Sequence, residues 1–179
     1  MGILEREARF FLASRKALIW DDKRGARQTL RDALIACGVK SPNIFVEKTY
    51  ANAKHIVETQ KPEIIISEFE VHEKYGLDLA RLQMDILNDN TTKMFIICTA
   101  NATQSSVADA AEEEIEAFLV KPITEDLVVD YIKNTAKKKV NPTAYSSMVY
   151  EAKRLIREGN EELAFQTLSM SKLMHDRPM

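Results

Sequence analysis

Acidic and basic side chains placed directly after short apolar runs are the first chemistry in this sequence. Asp21-Asp22 follows Ala17-Leu18-Ile19-Trp20, and Glu68 follows Ile64-Ile65-Ile66-Ser67. Thr99 closes Met94-Phe95-Ile96-Ile97-Cys98, and Lys121-Pro122 follows Ala117-Phe118-Leu119-Val120. If the runs are neighbouring parallel strands, these residues meet at the carboxyl edge of the sheet, where open α/β folds gather their function. Three carboxylates, one hydroxyl and one ammonium would then share one site. Carboxylates so grouped favour a divalent cation with oxygen ligands, Mg²⁺ above all. A lysine opposite them neutralises charge and holds a phosphoryl oxygen or a carboxylate.

The elements that must position these groups are legible from periodicity. The four runs, with Ile44-Phe45-Val46 as a fifth, are too short for helices and read as strands buried on both faces. Between them the apolar residues recur with helical spacing. Leu30, Ala33, Leu34 and Cys37 form one stripe, with Gly38 placed to end the helix. Ala53, Ile56 and Val57 form a second, closed by Lys61-Pro62. Leu77, Leu79, Ala80, Leu82, Met84 and Leu87 form a third, and a polar stretch from Thr103 to about Ala111 is a fourth helix candidate. Leu127, Val128, Tyr131 and Ile132 form the fifth, capped by Thr124 with Glu125 and Asp126 in its first turn. Alternating strand and helix implies an α/β fold, a five-stranded parallel doubly wound sheet covered by helices on both faces.

After Lys137-Lys138-Lys139 and Asn141-Pro142 the pattern changes to two helices with no strand between them, divided by Gly159-Asn160. Met148, Ala152, Leu155 and Ile156 share a face of the first, and Leu163, Ala164, Thr167, Leu168 and Ser171 lie along the second. This is a helical hairpin. Leu4 to Leu12 adds an amphipathic stretch ahead of the first strand, with Ala8, Phe11 and Leu12 as its apolar side. The expected division is a helical extension over 1–15, an α/β domain over 16–139 and a helical hairpin over 140–179. The lysine run is expected to be the solvated end of a helix, where cations suit the dipole.

Composition narrows the function classes. Lys and Arg total 25 against 27 Asp and Glu, for a net charge of −2 in 179 residues. That balance argues against nucleic acid and against a polybasic membrane anchor as partners. No apolar run approaches the ~20 residues that span a bilayer, and the amino terminus lacks a secretion-signal pattern, so the expected location is cytoplasmic. The two cysteines, Cys37 and Cys98, have no metal-ligand spacing and read as buried.

From about Lys16 to Lys138 the sequence resembles the receiver domain of bacterial two-component response regulators. The resemblance rests on Asp21-Asp22, the position of Glu68, Gly76 eight residues on, Thr99-Ala100, and Lys121-Pro122 twenty-two residues after Thr99. It implies that Asp21 and Asp22 are metal-site acids holding Mg²⁺, with Glu68 and the backbone carbonyl of Glu70 beside them. It further implies that Glu68 stands at the phosphoacceptor position, that Thr99 and Lys121 sense the phosphoryl group, and that Phe118 is the switch aromatic. A histidine kinase is the partner of such a domain. The segment from about Tyr145 to Pro178 resembles a single tetratricopeptide repeat, through Ala152, Leu155, Gly159, Ala164, Leu168 and Ser171. One repeat cannot bury both faces of its helices, so the hairpin must pack on the receiver-like domain, on further repeats or on a second copy of itself, which would make a homodimer.

The departure from the family pattern sets the functional expectation. The family's phosphoacceptor is Asp, and here it is Glu68. One extra methylene carries the carboxylate about 1–1.5 Å further into the pocket, and in-line attack loses as much as ~10²-fold to misplacement of that size. The expectation is therefore a pseudo-receiver that is not phosphorylated at the usual site. It is not an enzyme, and it transmits a signal through contacts with other signalling proteins. A conventional Mg²⁺-dependent phospho-receiver is the alternative. A hydrolase on the same strand ends would need a nucleophilic Asp that Glu68 does not supply.

Overall fold

The computed structural model describes residues 2–87, 91–101, 103 and 115–175. Helix α1 (Ile3–Ala13) precedes strand β1 (Ala17–Trp20), then α2 (Arg24–Ala36), β2 (Ile44–Glu47), α3 (Tyr50–Gln60) and β3 (Ile64–Ser67). Two short strands, β4 (Glu70–Val71) and β5 (Lys74–Tyr75), make a hairpin of their own before α4 (Gly76–Ile86). Strands β6 (Met94–Thr99) and β7 (Ala117–Val120) follow, then α5 (Glu125–Val140), α6 (Ala144–Arg157) and α7 (Glu161–His175). The fourth helix candidate lies outside the described residues, apart from Thr103.

The main sheet has strand order β2-β1-β3-β6-β7 and every pairing is parallel. The chain therefore starts in the middle of the sheet, winds outward to β2, returns to β3 and continues to β7. All strand carboxyl ends consequently lie on one edge, as the expected doubly wound fold requires. Strand alternation divides the core into two clusters. Ala17, Ile19, Ile64, Ile66, Ile96 and Cys98 face α1, α2 and α5. Leu18, Trp20, Ile65, Phe95 and Ile97 face α3 and α4. β1, β3 and β6 are buried at every residue, but β2 and β7 only in part. An edge strand has one neighbour instead of two, so the expectation of burial on both faces fails there.

Capping residues bound the helices, Thr124 and Gly38 as the sequence pattern indicates and Thr49 in addition. Thr49 and Thr124 cap α3 and α5 by accepting hydrogen bonds from Asn52 N and Leu127 N. Gly38, at φ 104°, provides the left-handed exit after α2 that a residue with a Cβ adopts only under strain. On α5 the buried set is Val128, Ile132 and Ala136, whereas Leu127 and Tyr131 are each 41% exposed. The stripe is thus narrower than the sequence pattern indicated. Helix α1 packs along α5 and sends Ala8 and Leu12 into the same core cluster as β1.

The lysine run also needs correction. Lys139 is buried: its Nζ donates to Glu116 Oε1 at 2.7 Å and lies 5.2 Å from the centre of the Tyr150 ring. The other oxygen of Glu116 accepts the backbone N–H of Phe95 at 2.5 Å. One ion pair thus ties the end of α5 to the β6–β7 pair and, through Tyr150, to α6. α6 and α7 pack chiefly on each other, turning at Gly159 (φ 77°). Ala152, Leu155, Ala164 and Ser171 are buried, whereas Ile156, Leu163 and Leu168 of the expected apolar faces remain exposed. The residues that do go inside are mostly the small ones, which let the two helices approach closely.

Removing one member of a buried pair leaves the other charge uncompensated, at about 3 kcal/mol. Lys139→Ala is expected to lower the unfolding free energy in urea by about that much. Combining Lys139→Met with Glu116→Gln should recover part of the loss.

Candidate functional site

The carboxyl edge of the sheet holds the expected residues together, and backbone bonds set their heights. Asp21 N donates to Glu47 O at 3.2 Å, and Glu68 N donates to Trp20 O at 2.8 Å, so each acid continues its strand by one residue. Lys121 N donates to Thr99 O at 2.8 Å and fixes the lysine one step past β7. A cis peptide joins Lys121 to Pro122.

Lys121 is the centre of the arrangement. Its Nζ donates to Asp21 Oδ2 at 2.6 Å and to Glu68 Oε2 at 2.5 Å. Asp21 is fully buried, and Glu68 and Thr99 nearly so. The second oxygens are also engaged. Asp21 Oδ1 accepts from Lys23 N at 2.8 Å, and Glu68 Oε1 accepts from Phe69 N at 2.9 Å. Asp22 is turned away toward Lys23, whose Nζ meets its Oδ2 at 2.7 Å. Thr99 Oγ1 accepts from Asn101 N at 3.2 Å. Phe118 is half-buried, its ring tilted against Phe69 at 6.4 Å. Glu70 stands on β4 with its side chain exposed.

Burial pushes the Asp21 carboxyl above its ordinary 3.8, and the bonds from Lys121 and Lys23 offset this only in part. Burial alone would draw Lys121 down, but the hydrogen bonds to Asp21 and Glu68 outweigh it and raise the ammonium above 10.5. Lys23 holds Asp22 below the usual carboxylate range. Cys98, the residue before Thr99, is pushed up to about 12 by burial and is no nucleophile at neutral pH.

These residues can be tested against a Mg²⁺ ion. A hard divalent cation needs several carboxylate, carbonyl and water oxygens arranged around it. Among the described residues, no three His, Cys, Asp or Glu side chains are placed to share a metal ion. The acids are aimed at ammonium and backbone N–H groups instead. In this arrangement the donor set does not fit Mg²⁺, and no chemical step is derived through one.

Two supporting residues, Ser67 and Arg27, lacked any sequence signal of their role. Ser67 is buried and donates from Oγ to Glu68 O at 2.7 Å. Arg27 donates to Asp21 O at 2.7 Å. Gly76 explains the spacing from Glu68: a Cβ there would collide with Glu68 O and Ser67 Oγ. Its own N–H donates to Phe69 O at 2.8 Å and draws the start of α4 against the end of β3.

Replacing Lys121 by Met would strand two buried carboxylates. The expected loss of unfolding free energy at pH 7 is about 3 kcal/mol. Lys121's contribution is fully present below its ordinary 10.5 and is lost as pH rises through the raised folded value. Asp21 runs the other way from a depressed carboxylate: its raised folded value makes the native state take up the proton first, so stability falls as pH rises from 3.8 through that value. The deficit of Lys121→Met should therefore narrow between pH 7 and pH 4, read from urea unfolding at each pH.

Comparison with known proteins agrees with the fold. The chain is 25% identical over 126 residues to a chemotaxis protein CheY of Thermotoga maritima, covering 69% of this chain and 98% of that protein. It is 26% identical over 120 residues to a chemotaxis protein CheY of Bacillus subtilis, covering 67% of this chain and 96% of that one. A CheY-like response regulator receiver domain protein from Methanospirillum hungatei superposes with a TM-score of 0.62 at 14% identity, over 72% of this chain and 98% of the other. Residues 17–133 match the family model of the response regulator receiver domain, and the chain belongs to that family.

Proposed function

We propose that this chain is a pseudo-receiver: a signalling module that is not phosphorylated at the usual site and works through protein contacts, not catalysis. The observation that carries the reading is the Glu68 carboxylate already bonded to Lys121 Nζ at 2.5 Å. The longer glutamate closes the gap that a phosphoryl group on a shorter acid would fill, so the lysine has its anion without phosphate. Receiver domains act through kinases and other signalling proteins, and a cytoplasmic histidine kinase is the natural partner class. No helix among the described residues is long and apolar enough to cross a membrane.

The helical hairpin supplies the output surface in this reading. It is tetratricopeptide-like in its small buried residues, and its second helix carries Phe165 at 73% exposure and Met170 at 58%. Apolar side chains this open on adjacent turns of one helix suit a second copy of the chain.

The phosphorylation test uses a small phosphodonor with Mg²⁺, followed by intact mass and by the fluorescence of Trp20, the only tryptophan. The expected result is no mass gain in the parent and a gain of one phosphoryl group in Glu68→Asp. A gain in the parent would establish the conventional phospho-receiver instead. For the hairpin, sedimentation of Phe165→Glu/Met170→Glu is expected to show a monomer where the parent self-associates. Equal sedimentation of the two would remove the dimer.

A further inference from the structure

Next to the acidic site, on the β2 side of β1, lies a groove of about 450 Å³ that the receiver reading does not use. Its floor is Trp20, the last residue of β1, and its wall is Tyr50, which meets the indole edge-on at 5.5 Å. The rim is basic. Lys48 comes from the end of β2, and Lys74 and His72 from the β4–β5 hairpin. Asp22 is the one acid of the lining, and Lys23 already holds its carboxylate.

The hairpin's geometry explains how a chain of mixed charge concentrates cations here. His72 and Glu73 both have positive φ, 49° and 59°, as a two-residue primed turn requires. Val71 and Lys74 are paired across the hairpin, so their side chains share a face. That face is the groove's: Val71 goes down into the apolar core while Lys74 reaches over Tyr50, its Nζ 6.0 Å from the ring centre. Glu70 and Tyr75 form the next pair and fall on the opposite face.

Two further features favour an anion. Thr49, also in the lining, caps α3, so the positive end of an eleven-residue helix opens beside the rim. That first turn contains no acidic residue. Independently, the indole Nε1 of Trp20 is fully buried and has no hydrogen-bond partner among the described residues. A buried N–H without an acceptor costs stability, and the residue that carries it lines this groove.

We propose that this groove is a binding site for a small phosphate-class anion, separate from the Thr99–Lys121 position. Lys48 and Lys74 carry the charge recognition, the start of α3 and His72 add donors, and the Trp20 indole lies beneath the ligand as its reporter. Of the ion triad Asp21, Glu68 and Lys121, none lines this groove.

The test exploits the single tryptophan, whose indole N–H gives one resolved signal in a ¹⁵N–¹H spectrum of the full chain. Inorganic phosphate is titrated at constant ionic strength against potassium chloride. The expected result is a saturable shift of that signal with phosphate alone, weakened about tenfold or more in Lys48→Gln/Lys74→Gln. Lys48→Arg/Lys74→Arg, which retains the charges, should keep it. An unmoved indole signal would overturn the proposal, as would an equal shift in the Gln variant. Shifts confined to Thr99 and Lys121 would assign the phosphate to the receiver site and overturn it as well.

Discussion

A single ammonium holds the functional edge of this protein together. Lys121 lies between Asp21 and Glu68, whose strands are neighbours in the sheet, while its own strand β7 is two positions away from β3. The contact therefore spans the sheet edge from β1 to β7. The price of burying Asp21 is visible in its raised protonation range. What makes the arrangement tenable is that every carboxylate oxygen of Asp21 and Glu68 has a donor. A buried ion pair contributes to stability only under that condition.

The remaining structure can be understood as the means of keeping those donors in place. Five parallel strands place the acids, the hydroxyl and the lysine on one edge, and two apolar faces lock the strands against helices. Gly76 allows α4 to begin within contact distance of Glu68 O, which keeps the segment after β3 tight. The buried Lys139–Glu116 pair performs a comparable task at the opposite end of β7. It fixes the approach to that strand and connects it to the helix that leads into the hairpin.

Much of this was legible in the sequence because it depends on period and position. Five apolar runs became the five strands of the parallel sheet, and Thr124 marks a helix start. The acids, Thr99 and Lys121 were legible as strand-end residues. What could not be read is which charged group goes inside. Lys139 belongs to a run of three identical residues, and only tertiary packing selects the one that meets Glu116. The same holds for Lys23, whose neighbouring position to Asp22 gives no hint that it takes that carboxylate away from a shared site. The exposed Leu127, Tyr131, Ile156 and Leu163 show the complementary limit. Periodicity identifies a helix's apolar side but not how much of it a neighbour covers.

The replacement of Asp by Glu at position 68 connects these observations. A signalling receiver needs two states separated by a small free energy, so that a covalent group can tip the balance. In this chain Lys121 is already bonded to Glu68, the acid that follows β3, and to Asp21. An ammonium shared by two carboxylates keeps the third of its N–H donors for a further contact. The carboxylates are fully bonded, and their donors hold the sheet edge in one arrangement from within. A group that displaced either carboxylate from Lys121 would have to offer a comparably strong charged acceptor.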